Sequence, residues 1–221
     1  MMLYKMKKNQ NNQNNTRIPI YLAGAYGDLR DIPLGKSVAI MTGSYDPAHQ
    51  GHLDAAQKTL TFAEILTGSP IELVLLQPHS YSPGKSPAPL EVRIEIIQTI
   101  LQNYPQIGVM DSSALKGAAD KSIKEFFIAL SQYRSLEYSR IIGSDYISKA
   151  PLESPSITHF VNVREERILE LPPHFFALPY SVPTISSSTK IRAGEVELGE
   201  EYLAVAHHLK EYYPLAGIKS L

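Results

Sequence analysis

The sequence predicts an α/β fold in which a parallel sheet carries helices on both faces. Three observations predict it. Short apolar runs alternate with longer segments of helical spacing, the pattern of right-handed βαβ units. A chain of 221 residues with 43% hydrophobic content can bury the core of one sizeable domain. The sharpest polar clusters, at 43–52, 143–145 and 186–192, each follow a strand candidate, and in such sheets ligands bind at the carboxyl ends of strands.

The elements follow in order. Residues 7–16, KKNQNNQNNT, are polar and of low complexity, and bury too little to offset ordering entropy; they read as a tail. IPIYLAG (18–24) is either a short strand or a segment packed on the domain, so residues 1–36 are set apart as an N-terminal extension and 37–221 as the domain. SVAIMT (37–42) is a continuous apolar run before a turn, as expected of a buried parallel strand. A helix is predicted over 52–66, a strand over 71–78, a helix over 90–104 on account of its length, and a strand over 107–111. An amphipathic helix over 121–133 precedes a strand within 138–145, and 158–165 and 174–179 are further strand candidates. A helix over 201–213 closes the chain.

Composition narrows the function. The net charge is −1 and there is no long basic run, which speaks against a nucleic-acid surface. There is no cysteine, so disulfides, thiolate metal sites and cysteine nucleophiles are excluded, and a reducing cytoplasm is the expected compartment. No apolar run reaches transmembrane length, and the N-terminus lacks the apolar segment of a secretory signal, so no membrane role is expected.

The stretch MTGSYDPAHQGHLDAAQKTL (41–60) carries the chemistry. Gly43 permits unusual backbone angles and close approach of a phosphate, Pro47 fixes a turn, and Gly51 opens a helix whose first amides lack internal partners. His49 and His52 sit on the approach to that helix end and can donate to phosphoryl oxygens. An isolated His-x-x-His is more often a surface pair, and no other histidine has the spacing to complete a metal site with it, so no protein metal site is expected. Near the C-terminus, ISSSTKIRAGE (185–195) offers hydroxyls that cap a helix or meet phosphate, and Arg192 can grip phosphate bidentately.

GSYDPAHQGH resembles the G-(S/T)-(F/Y)-D-P-x-H-x-G-H signature of the nucleotidylyltransferase superfamily, matched at Gly43, Ser44, Tyr45, Asp46, Pro47, His49, Gly51 and His52. The second stretch is similar to the I-S-S-T-x-I-R motif of nicotinate- and nicotinamide-nucleotide adenylyltransferases, matched at Ser187, Ser188, Thr189, Ile191 and Arg192; Ser186 stands in the isoleucine slot and Ile185 lies one place early. IIGSDY (141–146) resembles the family's I-G-A-D segment. The resemblance implies a Rossmann-like fold of the HIGH-motif type and transfer of AMP from ATP, with Mg²⁺, to a phosphorylated acceptor, most like the bacterial nicotinate-nucleotide enzymes. It implies His52 and His49 as catalytic residues. ATP would meet Gly43, Ser44, Tyr45, His49, His52, Gly143, Asp145, Ser187, Ser188, Thr189 and Arg192. Asp145 is then a partner for ribose hydroxyls; without the resemblance an Asp-capped turn serves equally. Lys85, Arg93 and Tyr146 are the implied acceptor-side residues. Asp46 is a turn former before it is a metal ligand. The chain departs from the pattern on the acceptor side. It has no tryptophan for stacking, and GAADKSI (117–123) stands where a Tyr-Thr element is expected. Another phosphorylated acceptor such as phosphopantetheine, or a nucleotide-binding regulator without activity, is the alternative, and self-association is left open.

Overall fold

The computed structural model describes residues 17–23, 25–79, 86–115, 123–148, 157–163, 170–180 and 187–218. Among the described residues, two short antiparallel strands come first, β1 (Pro19–Leu22) and β2 (Ala25–Asp28), and six parallel strands follow. These are β3 (Ser37–Gly43), β4 (Leu73–Pro78), β5 (Ile107–Met110), β6 (Glu137–Gly143), β7 (Thr158–Asn162) and β8 (Phe175–Ala177). The sheet order is β2-β1-β5-β4-β3-β6-β7-β8. Numbered among themselves, the parallel strands run 3-2-1-4-5-6, the doubly wound dinucleotide-fold order, whose direction of winding reverses between β3 and β6.

Among the described residues there are five α-helices: α1 (Gln50–Thr67), α2 (Leu90–Ile100), α3 (Ile123–Tyr133), α4 (Ser188–Arg192) and α5 (Ala206–Tyr212). The strands are apolar on both faces because both faces are covered. Ala39, Met41, Val74, Leu76 and Val109 pack into one core with α1, α2 and α5; Val38, Ile40, Leu75 and Met110 pack into a second with Phe126, Phe127 and Leu130 of α3. Helices therefore lie on both faces, as the alternation of the sequence predicts.

Three boundaries differ from expectation. Helix α2 stops at Ile100, with Leu101–Asn103 in a turn, because Tyr104 precedes Pro105 and a residue before proline is pushed out of the helical region. The predicted C-terminal helix divides into a 3₁₀ segment, Glu200–Val205, and α5; Tyr202 and Val205, three apart, are buried together as 3₁₀ spacing allows. Residues 17–36 are no appendage. Strand β1 pairs antiparallel with β5, Ile20 opposite Met110, and covers what is otherwise the sheet edge. Ile18, Ile20, Leu29 and Ile32 join the α3-side core, so the division at residue 36 falls inside one packed unit. The hydroxyl of Tyr133 donates to Asp28 at 2.8 Å and accepts from the Ile18 amide at 3.1 Å, tying the hairpin to α3. The low-complexity tract at 7–16 lies outside the described residues.

Candidate active site

The three polar clusters meet at the winding reversal. A cleft of about 870 Å³ opens over the carboxyl ends of β3 and β6. It is lined by Gly43, Ser44, His49 and His52 from the first cluster, Gly143, Asp145 and Tyr146 from the second, and Ser187, Ser188, Thr189 and Arg192 from the third.

Local geometry explains the signature residue by residue. Tyr45 takes a left-handed backbone, φ 46°, which costs free energy for a bulky residue and persists only when its surroundings hold it. Its ring is buried, its hydroxyl donates to the Met41 carbonyl, and the ring lies across Gly43. A Cβ on Gly43 would stand 3.2 Å from that ring, so glycine is needed here for close approach of Tyr45, not for its own backbone angles. Tyr45 also packs on His52, centroids 4.7 Å apart. It therefore supports the site, and it also lines the cleft, with its hydroxyl proton given to the Met41 carbonyl.

Two histidines build the start of α1. The Nδ1 of His49 accepts from the Gly51 amide at 3.2 Å, and the Nδ1 of His52 accepts from the His49 amide at 3.1 Å. This is a capping box with imidazoles in place of hydroxyl and carboxylate. A nitrogen that accepts carries no proton, so each neutral ring bears its proton on Nε2 and is an N–H donor there. The two rings lie 3.9 Å apart, tilted by 37°.

Loop 44–48 is held at each residue. The Ser44 carbonyl accepts from Arg93 Nη1 at 2.5 Å, and the Ala48 carbonyl accepts from the Tyr202 hydroxyl at 2.8 Å. Asp46 is 3% exposed; its Oδ1 accepts from the Tyr213 hydroxyl at 2.6 Å and the Ala88 amide at 3.1 Å. Arg192 Nη1 donates to the Asp46 backbone carbonyl and lies 3.2 Å from its Oδ2. Ser188 Oγ donates to the Pro47 carbonyl at 2.9 Å, while Ser187 caps α4 through the Lys190 amide at 3.1 Å. The two distant sequence motifs are thus clasped to one another.

Several expectations change. Arg93 is 1% exposed, does not line the cleft, and spends Nε on the Ala88 carbonyl at 2.9 Å as well as Nη1 on Ser44. It is a loop-holding residue and not an acceptor contact; charge alone did not reveal that it folds inward. Ser188 reaches the cleft, but its hydroxyl proton is committed to Pro47. Asp46 is the hub of a turn, with its carboxylate oxygens engaged. Lys85, Ser186, Ile185 and most of 117–123 lie outside the described residues. Tyr146 is in the cleft, its ring 5.2 Å from the guanidinium of Arg140.

Sequence reasoning missed Asp54, Lys58, His79, Arg140, Asn162 and Lys190, all of which line the cleft. Asp54 and Lys58 follow Gly51 at helical spacing on α1, and His79 and Asn162 stand at or just beyond the ends of β4 and β7, positions the strand-end rule singles out. Arg140 is 2% exposed in the middle of a strand, where no local pattern announces a functional charge. Burial, with Arg140 and Arg93 nearby, lowers the pKa of His79 and favours its neutral form.

Known proteins resemble this chain. Residues 40–194 match the family described as cytidylyltransferase-like. A probable nicotinate-nucleotide adenylyltransferase of Symbiobacterium thermophilum is 30% identical over 49% of this chain and 50% of its own length. One from Shewanella frigidimarina is 23% identical over 52% of this chain and 53% of its own, so these matches span about half of each relative. One from Sulfurimonas denitrificans is 24% identical over 80% of this chain and 94% of its own length. Among solved structures, the nicotinic acid mononucleotide adenylyltransferase of Plasmodium falciparum complexed with NaAD aligns with TM-score 0.52 at 15% identity, covering 72% of this chain and 83% of that one, which is a likeness of fold. The doubly wound sheet, the clasped motifs at its winding reversal and the match over 40–194 lead to one statement: the chain belongs to the cytidylyltransferase-like family.

Proposed function

We propose that the protein transfers AMP from ATP to the phosphate of nicotinate mononucleotide, forming the dinucleotide and releasing pyrophosphate. The observation that carries this reading is that His52 and Arg192, 140 positions apart, line one cleft, and that Arg192 bonds the loop leading into the helix of His52. An acceptor phosphate oxygen attacks the α-phosphorus in line. The bond to the acceptor forms as the α–β bridging P–O bond breaks, and pyrophosphate carries off the electron pair. The acceptor phosphate is already ionised, so no general base is needed, and the work is positioning and stabilisation of phosphoryl charge.

In this scheme His52 donates from Nε2 to the α-phosphate. His49 and the amides near Ser44 support the triphosphate, and Ser187, Thr189 and Arg192 meet the β- and γ-phosphates. Lys58 and Lys190 add positive charge to the same walls. Asp145 faces the ribose, and Tyr146 offers an aromatic face to the acceptor. Mg²⁺ enters with ATP as part of the substrate. The lining carboxylates are Asp54 and Asp145, while those of Asp46 are engaged, so the donor set suits an ion held mainly by phosphate oxygens and water. The relatives named probable nicotinate-nucleotide adenylyltransferase support this acceptor.

The test is pyrophosphate release from ATP and Mg²⁺ with a panel of phosphorylated acceptors. Release with nicotinate mononucleotide and not with phosphopantetheine is the expected result. Release with phosphopantetheine alone assigns another acceptor. ATP-dependent thermal stabilisation without release from any acceptor assigns a nucleotide-binding protein.

A further inference from the structure

A second group of convergent donors lies away from the cleft, where α2 meets α5. Glu95 of α2 and His207 and His208 of α5 place one ligand atom each within 4.8 Å of one another. In a tetrahedral site with metal–ligand bonds of about 2.0–2.1 Å, ligand atoms stand about 3.4 Å apart, so small side-chain rotations suffice. His208 Nε2 lies 2.8 Å from Glu95 Oε2, and the two imidazole rings lie 3.9 Å apart, tilted by 40°. Glu95 and His207 are exposed, and solvent can supply a fourth ligand.

The chemistry of the rings separates this pair from the pair in the cleft. At His49 and His52 each Nδ1 is taken by a backbone amide, which fixes the proton on Nε2 and makes both rings donors. The Nδ1 of His208 is buried with no hydrogen-bond partner, so its proton is held on Nε2 only by the bond to Glu95, which a cation can replace. Its proton can reside on Nδ1, which turns the Nε2 lone pair toward a cation beside Glu95. Two imidazoles and one carboxylate suit a zinc-class divalent ion and not Mg²⁺, which prefers oxygen ligands.

We propose that Glu95, His207 and His208 form a Zn²⁺-class site that clips α5 to α2. The clip adjoins the elements that hold the cleft loop, since Tyr202 and Tyr213, on either side of α5, bond Ala48 and Asp46. Binding replaces the Nε2–H···Oε2 bond of His208 by two metal bonds, with the ring proton on Nδ1. The site is independent of the proposed reaction.

The test is calorimetric titration of the chelator-treated full chain with Zn²⁺, without nucleotide, alongside thermal unfolding with and without the ion. One equivalent should bind and raise Tm. His207→Ala and Glu95→Gln, both at exposed positions, should each weaken binding at least about tenfold, the scale of disturbing a metal site's ligand environment, and remove the Tm rise. His52→Ala should leave Zn²⁺ affinity unchanged. Absence of saturable binding overturns the proposal, as does binding that survives His207→Ala and is lost in His52→Ala.

Discussion

At the scale of single residues, the site turns on two imidazoles that serve as backbone caps and as donors at once. The Nδ1 atoms of His49 and His52 are hydrogen-bond acceptors for amides, so the donor role of Nε2 follows from the start of α1 and not from an added base. His52→Ala removes one donor aimed at developing charge and should lower kcat at least about 100-fold, read by pyrophosphate release under saturating ATP. It should also cost about 1 kcal/mol of stability through the lost cap, read by denaturant unfolding. A variant with near-normal turnover refutes the catalytic assignment. The histidine spacing was legible in the sequence, because few residues carry phosphate chemistry in that strand–turn–helix setting. Its capping role was not, since histidine is no usual cap, and Arg93 was misread because sequence gives a charge but not the carbonyls waiting for it.

At the scale of elements, α4, the 3₁₀ segment and α5 act as a latch on loop 44–48. The phenol of Tyr213 is the sharpest probe, because burial and its bond to Asp46 push its pKa far above the usual tyrosine range, leaving it a committed donor. Tyr213→Phe leaves the buried Asp46 carboxylate with one donor fewer and should lower unfolding free energy by about 1–3 kcal/mol. A rise in KM for ATP should accompany it, since Asp46 also fixes Arg192. Unchanged values of both mean that the latch carries no energy. Strands and helices were legible from apolar runs and their spacing over β3 to α3. The latch was not, because Tyr202 and Tyr213 read as one face of an ordinary amphipathic helix until their partners 154 and 167 positions away are known.

At the scale of the whole molecule, acid sensitivity comes from a histidine inside the sheet. His159 of β7 is 1% exposed, stacks on Phe175 at 4.3 Å and bonds the Ile157 carbonyl through Nδ1 at 2.7 Å. Burial lowers its pKa to about 4, with Arg140 and His174 adding to the effect and the Ile157 carbonyl opposing it. Between its ordinary pKa near 6.5 and about 4 the unfolded chain binds the proton and the folded chain does not, so stability falls as pH drops through that window. The loss should reach about 3 kcal/mol by pH 4, and His159→Gln should flatten the profile there, read by denaturant unfolding at several pH values. A second fall is expected below the ordinary carboxylate pKa of 3.8. Burial raises the pKa of Asp28, but Arg30 and Tyr133 more than compensate and hold it at about 2, so the contribution is lost as that carboxylate protonates. Sequence alternation disclosed a parallel sheet, yet not that β6 would pair with β3 across 93 intervening residues and so create the cleft; strand adjacency is a property of packing, not of local pattern.

The holding of loop 44–48 by Tyr202 and Tyr213 has a consequence for biosynthesis. A protein made from its N-terminus can assemble β3, β4, β5 and β6 while its last stretch is still inside the ribosome, but the carbonyl of Ala48 and the carboxylate of Asp46 then lack their phenolic partners. A nascent chain arrested before position 202 should carry a folded sheet that does not retain ATP, and release of the finished chain from the ribosome should restore retention.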